Sequence, residues 1–326
     1  MPAVPGRLRA VCLAAAVAAV LTGCSSSDDG SGTGSGTGSG EPSVAETPRM
    51  TLTAGTELPL DAYERSEDDV YALAKAQNVL TEQCMKRYGL AYDAPDPSPP
   101  AHIRPNARIF GLVDAGEAAR YGYGSVARTG PAPTKPKSAV LGETAKSVLF
   151  GPKTKKSGKA LAEMPMSQTA AEKKKSGLVV NGSPVPVGGC LRESYLKLYA
   201  PTSSSVDIMY VFNLKGEAES RALSDSRVKK ATKAWSACMK KAGYVTAAPA
   251  SAARDLGFSG GAATGPGAVT AAKADVACKA EVNYAGIRFA VQSAYEKRSA
   301  DRNAETLGLL REQAQDRLRL ASQLTS

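Results

Sequence analysis

Two short segments of this 326-residue chain, "CMKRYGL" at Cys84 and "CMKKAGY" at Cys238, share the pattern Cys-Met-Lys-basic-x-Gly. Both close a helical pattern. Val70, Leu73, Gln77, Leu80 and Cys84 recur at alternating steps of three and four, as do Val228, Ala231, Trp235, Cys238 and Ala242, a spacing that lines one face of a helix. Ser66 and Asp69 stand where an N-terminal capping box belongs. Gly89 and Gly243 suit the left-handed residue that ends a helix, and Lys86, Arg87, Lys240 and Lys241 meet the negative end of its dipole. Each unit then carries a later cysteine with an acid three positions on, Cys190 with Glu193 and Cys278 with Glu281. The fold expected is mainly α: two related disulfide-stapled helical units, 57–200 and 201–326, with a short β-hairpin and long Pro/Gly-rich loops.

The start of the chain says where such a body sits. Arg7 and Arg9 precede an uncharged run from Ala10 to Gly23, too short to cross a hydrocarbon core of about 30 Å comfortably, so residues 1–23 read as a signal peptide. Leu21-Thr22-Gly23-Cys24 resembles the lipobox of bacterial lipoproteins. The resemblance implies that cleavage leaves Cys24 first, its sulfur carrying a diacylglyceryl group with palmitate-like chains. At about 0.8 kcal/mol per buried methylene, two or more chains hold a protein on a bilayer. Residues 24–56, rich in Gly, Ser, Thr, Pro and acid, are expected to be a flexible linker. The expected location is the outer face of the cell membrane, with that membrane as partner through Cys24.

Cys12 leaves with the leader and Cys24 is acylated, so four thiols remain in an oxidising setting. Four cysteines allow three pairings, and the repeat argues for Cys84–Cys190 and Cys238–Cys278. Loops of that length make each bridge worth roughly 4–5 kcal/mol in the chain-entropy picture. No Cys-x-x-Cys pair supplies redox chemistry.

Charge is unevenly spread. The chain carries a formal +10, and between Arg120 and Val180 twelve Lys and Arg face only Glu143, Glu163 and Glu172. An exported basic segment meets anionic lipid head groups and cell-wall polymer first, which makes Lys153, Lys155, Lys156, Lys173, Lys174 and Lys175 candidate binding residues; the plainer reading is a solvated Lys-rich loop. In "RYGYG", Arg120, Tyr121 and Tyr123 offer rings and a cation for stacking on a sugar or polymer repeat; the plainer reading has the tyrosines packing a loop onto the body. The Lys-rich runs have no interleaved aromatics for base stacking, so nucleic acid is not an expected partner.

Catalytic signals are poor. His102 is the sole histidine, which leaves a zinc site without a second imidazole. No Gly-x-Ser-x-Gly turn supplies a nucleophile, and Glu67, Asp68 and Asp69 are more simply helix-start acids than a glycosidase pair. No cofactor, metal or enzymatic activity is expected. A non-enzymatic envelope binding or scaffolding module leads, ahead of a solute-binding lipoprotein of a transporter and a cell-wall hydrolase; the protein partner is not readable.

Local signals fill in the rest. Asn181-Gly182 is a type I′ turn between Leu178–Val180 and Ser183–Val187, with Pro184 and Pro186 confining the second arm to an edge. "VDIMYVFNL" reads as helix by its continuation, and 257–267 as a flexible glycine loop. A long amphipathic pattern runs from Val269 to Leu324, with a break expected near Gly308 or in the polar stretch before it. The lipobox, the Ser/Gly stretch, "EAARYGYG", "VNGSPVPVGGC" and "DSRVKKATKAWSACMKKAGY" together resemble an uncharacterised lipoprotein family of high-GC, Gram-positive actinobacteria. That resemblance covers most of the folded chain and, apart from Cys24, implies no functional residue.

Overall fold

The computed structural model describes residues 40–100, 106–124, 140–152 and 164–326. Cys24, His102, Lys153, Lys155 and Lys156 lie outside them. Among the described residues eleven α-helices follow one another: α1 (Glu67–Lys86), α2 (Ala115–Tyr121), α3 (Glu143–Phe150), α4 (Gln168–Ala171), α5 (Gly189–Tyr199), α6 (Tyr210–Ser224), α7 (Ser226–Lys241), α8 (Ala252–Asp255), α9 (Pro266–Glu281), α10 (Tyr284–Arg302) and α11 (Ala304–Thr325). One antiparallel hairpin, β1 (Val179–Val180) with β2 (Ser183–Pro184), completes a mainly helical fold.

The repeat proves to be a way of stopping a helix. Ser66 and Asp69 form the capping box that opens α1. At its far end Gly89 has φ +68°, its N–H donates to Lys86 O at 2.9 Å, and the N–H of Leu90 donates to Met85 O at 3.3 Å. Helix α7 ends the same way: Gly243 has φ +89°, its N–H donates to Lys240 O at 3.1 Å, and Tyr244 N–H donates to Met239 O at 2.9 Å. This is the Schellman motif, in which a left-handed glycine turns two backbone donors onto orphan carbonyls. Met85 and Met239 are both fully buried, and Leu90 and Tyr244 pack on their respective clusters. Both pairings expected for the cysteines are present, Cys84–Cys190 and Cys238–Cys278, each with a Cα–Cα distance of 5.6 Å. The late cysteines are not equivalent, since Cys190 opens α5 whereas Cys278 lies in the last turn of α9.

Packing interleaves the two stretches of chain, 57–200 and 201–326, that were expected as related helical units. Helix α1 lies against α5 and the C-terminal α11, with Leu73, Ala76, Leu198, Tyr199 and Ala321 in one cluster. In return, α2 packs on α9, and Phe110 and Val113 join Ala231, Tyr284 and Ala285. Residues 41–326 accordingly form one compact unit.

Three expectations need correction. The linker was expected to run to Thr56, yet from Glu41 onward the chain is fastened to the body. Glu41 accepts from Ser226 N and Oγ at 2.6 and 2.7 Å, Asn283 Nδ2 donates to Pro48 O at 3.0 Å, and Thr53 Oγ1 donates to Ala107 O at 2.8 Å. The long C-terminal pattern breaks at Asn303, within the polar stretch where a break was expected, but Gly308 stays inside α11, and a second break, not expected, stands at Asn283, in the left-handed region at φ +50°. An exposed helical glycine costs only about 1 kcal/mol, which the packing of α11 on α1 outweighs. The glycine stretch 257–267 is ordered as a 3₁₀ turn, Gly260–Thr264, running into α9.

Candidate functional site

Among the described residues, the predicted basic and aromatic positions do not share one face. Arg120, exposed, and Tyr121, half-buried, sit in the last turn of α2, against α9. Tyr123 turns inward, which favours the plainer reading of "RYGYG". Its ring stacks on Phe258 with centroids 6.1 Å apart, and its hydroxyl faces Ala271 O and the carboxylate of Asp275. Gly122, at φ +58°, brings the backbone so close to Ala263 O that a Cβ would collide with it, and the N–H groups of Tyr123 and Gly124 both donate to that oxygen. The motif is therefore a clasp, and its glycines serve close approach. Lys173, Lys174 and Lys175 lie exposed elsewhere, just beyond α4.

Lys174 and Lys175 line a cleft of about 780 Å³ beside the first disulfide. Its walls are built by local rules already described. The Schellman end of α1 projects Arg87 and Tyr88, and the Cys84–Cys190 bridge pins that end to the start of α5. The type I′ turn, with Asn181 at φ +48° and Gly182 at +75°, folds the hairpin back across it. Asn181 Nδ2 donates to Tyr88 O and Tyr88 Oη donates to Pro184 O, both at 2.6 Å, locking hairpin to helix. Leu178, Val185, Pro186 and Leu196 supply an apolar floor, and Arg87, Lys174, Lys175 and Lys197 outnumber Glu172 and Glu193 around it.

Glu193 organises the deep end. It is almost wholly buried, forms ion pairs with Arg87 and Lys197, and places Oε2 3.5 Å from the Cys84 sulfur. Burial alone would raise its carboxyl, but the hydrogen bonds from Arg87 and Lys197 hold it below the ordinary glutamate range. Arg87 is correspondingly raised against its own desolvation. Glu193 is thus a fixed anion that orients two cations at the cleft. The Cys-x-x-Glu spacing pointed to this acid; the cleft itself had no sequence signal, because it forms only where the end of α1 meets the distant stretch 168–197.

The second disulfide has a different neighbourhood. Asp275 and Lys279 are buried together, with Lys279 Nζ 2.9 Å from Asp275 Oδ2 and 2.8 Å from Leu112 O, and Trp235 Nε1 donating to Asp275 Oδ1 at 2.9 Å. Desolvation pushes Asp275 up and Lys279 down, and the pair is closed off from solvent. Glu281 lies 3.5 Å from the Cys238 sulfur, the counterpart of Glu193, but on the exposed side.

Chemically, the cleft can bury apolar surface and attract anions. Among the described residues no group of three His, Cys, Asp or Glu is placed to hold a metal ion, and no helix is long and apolar enough to cross a membrane. No family model, no curated protein and no solved structure matches this chain, so the site is read from its own geometry.

Proposed function

We propose that the protein is an extracytoplasmic lipoprotein held by a diacylglyceryl group on Cys24 at the outer face of the cell membrane. Its body is a non-enzymatic binding module whose cleft takes an anionic cell-wall polymer. The observation that carries this reading is the cleft's composition, an apolar floor bordered by Arg87, Lys174, Lys175 and Lys197. Such a surface gains from burying the backbone of a polymer and from neutralising its charges. Two bridged cysteine pairs agree with an oxidising compartment. The importer reading calls for alternating strands and helices around a cleft, which a mainly helical body does not favour.

Sedimentation of the full-length protein with isolated cell walls tests the polymer. Retention should be high at low salt and fall as the Debye length shrinks from about 10 Å toward 3 Å, and Lys174→Glu with Lys175→Glu should weaken it at low salt. Retention indifferent to salt and to both substitutions overturns the proposal, and anionic vesicles outcompeting walls would move the ligand to lipid head groups. Mass spectrometry of protein from its native host should find Cys24 acylated at the amino terminus. An unmodified start removes the anchor, and clearing of a wall suspension would turn the module into a hydrolase.

A further inference from the structure

Three polar side chains follow one another along the buried face of α10: Arg288, Gln292 and Glu296, spaced by four and exposed by only 2%, 3% and 0%. Burying such groups costs several kcal/mol unless each finds partners, and here the partnering is incomplete. Glu296 is satisfied, accepting from Leu60 N at 3.1 Å and from Gln292 Nε2 at 2.9 Å. Gln292 Oε1 is buried with no partner, and so is the Nη1 of Arg288. Arg288 Nη2 reaches Glu219 only at 3.8 Å, and the guanidinium carbon lies 5.2 Å from the centroid of the Phe110 ring. A strong donor and an acceptor, one helical turn apart, are therefore buried without a hydrogen-bond partner.

Both residues line the same pocket, of about 280 Å³, between α10 and α6. That space equals roughly nine molecules of liquid water, enough for a solute the size of one amino acid and too small for a polymer. Phe212 and Ile109 give it an apolar side, and Phe212 is 65% exposed at α6. Around it Arg288 and Lys215 stand against Asp61, Glu64 and Glu219, with Lys215 committed to Asp61 and Glu64 at 2.6 and 2.8 Å and the Glu296 carboxyl raised by its burial. The surplus of carboxylates disfavours a multiply charged anion such as phosphate, while an amine alone leaves the Arg288 donor unmet. What matches is a molecule that carries one carboxylate and one ammonium side by side.

We propose that this pocket binds a small zwitterion of the amino-acid class, with its carboxylate on Arg288, its ammonium toward Gln292 Oε1 and Glu219, and any apolar side chain against Phe212 and Ile109. Burial that lowers the guanidinium's affinity for its proton also strips it of water, which strengthens its bond to a carboxylate. The site lies apart from the basic cleft, shares none of its lining residues, and does not depend on what that cleft binds.

Calorimetric titration of the full-length protein with glycine, serine, leucine and glutamine tests this. At least one is expected to bind with a dissociation constant in or below the millimolar range. For leucine, the two half-molecules 4-methylpentanoate and 3-methylbutylamine should each bind at least about tenfold more weakly, the loss of one charge-assisted hydrogen bond. Gln292→Leu should weaken binding of whichever amino acid binds by about tenfold or more. Phe212→Ala, at an exposed position where folding is not at risk, should weaken leucine and leave glycine unchanged. Absence of binding by all four amino acids to the folded wild-type protein overturns the proposal. So does a half-molecule that binds as well as leucine, or equal binding by folded Gln292→Leu.

Discussion

The surroundings of the two disulfides differ although the helices they staple end alike. At Cys84–Cys190 a buried carboxylate, Glu193, is shared by two half-exposed cations and faces a cleft. At Cys238–Cys278 the charged pair is Asp275 with Lys279, both sealed beneath Trp235 and the Tyr123 clasp. The contrast teaches that a repeated helix-ending sequence fixes where a chain stops and crosslinks, and leaves open whether the nearby charge meets solvent. Helix α5 starts at its cysteine and carries Glu193 one turn onward to the cleft, whereas the ion pair of α9 brackets Cys278, with Asp275 three residues before it and Lys279 one after, both on the buried side.

That comparison can be broken at several points. The largest effect is expected from replacing both cysteines of a bridge by serine. With sequence separations of 106 and 40, the chain-entropy picture puts the losses at roughly 5 kcal/mol for Cys84–Cys190 and 4 kcal/mol for Cys238–Cys278. Urea unfolding of the two double variants orders them, and a greater loss at the second bridge would show that sealed packing outweighs loop length.

Next comes Lys279→Met, which strands Asp275 as a buried, unpaired carboxylate and is expected to cost about 3–5 kcal/mol. Recovery on adding Asp275→Leu in the same chain would show that the penalty came from the stranded charge; no recovery would assign it to lost packing. The helix ends themselves are the control on the comparison. Gly89→Ala and Gly243→Ala should each cost roughly 1–2 kcal/mol, because alanine is strained in the left-handed region. Clearly unequal losses would mean that the two ends are not one device.

The smallest effect separates the open region from the sealed one. Glu193→Gln should cost roughly 1 kcal/mol at neutral pH, since Arg87 and Lys197 are half-exposed and screened. Its folded carboxyl is held below its unfolded value, so its contribution is fully present above the ordinary glutamate range and is lost as pH falls through the lowered folded value. Urea midpoints measured across the acid range should therefore fall more steeply for wild type than for the variant. Parallel curves would remove Glu193 as the source.

Much of the local structure was legible in the sequence. The Ser66–Asp69 box, the left-handed glycines, the Asn181-Gly182 turn and the cysteine pairing all follow from residues close together or from a repeated spacing. The break at Asn303 fell in the polar stretch where one was expected; the break at Asn283 was missed because an asparagine adopting φ > 0 has no obligatory signal, unlike proline, and Gly308 was given more weight than its small helical cost deserves. In the pattern from Ile287 to Tyr295 the apolar stripe drew attention away from Arg288, Gln292 and Glu296, whose face is buried by distant parts of the chain, α6 together with Leu60 and Phe110.

By itself the sequence determined where helices begin and stop, where the hairpin turns, and which sulfurs join, since capping, turn geometry and chain crosslinks act over a few residues or through a repeat. Only the tertiary structure decided that the segment after Glu41 is part of the body, that Tyr123 faces inward, that α11 packs on α1, and that Lys174 and Lys175 meet Arg87 around one cleft. The physical reason is that burial and charge pairing depend on neighbours brought together from distant positions, and many alternative partners carry the same apolar stripe.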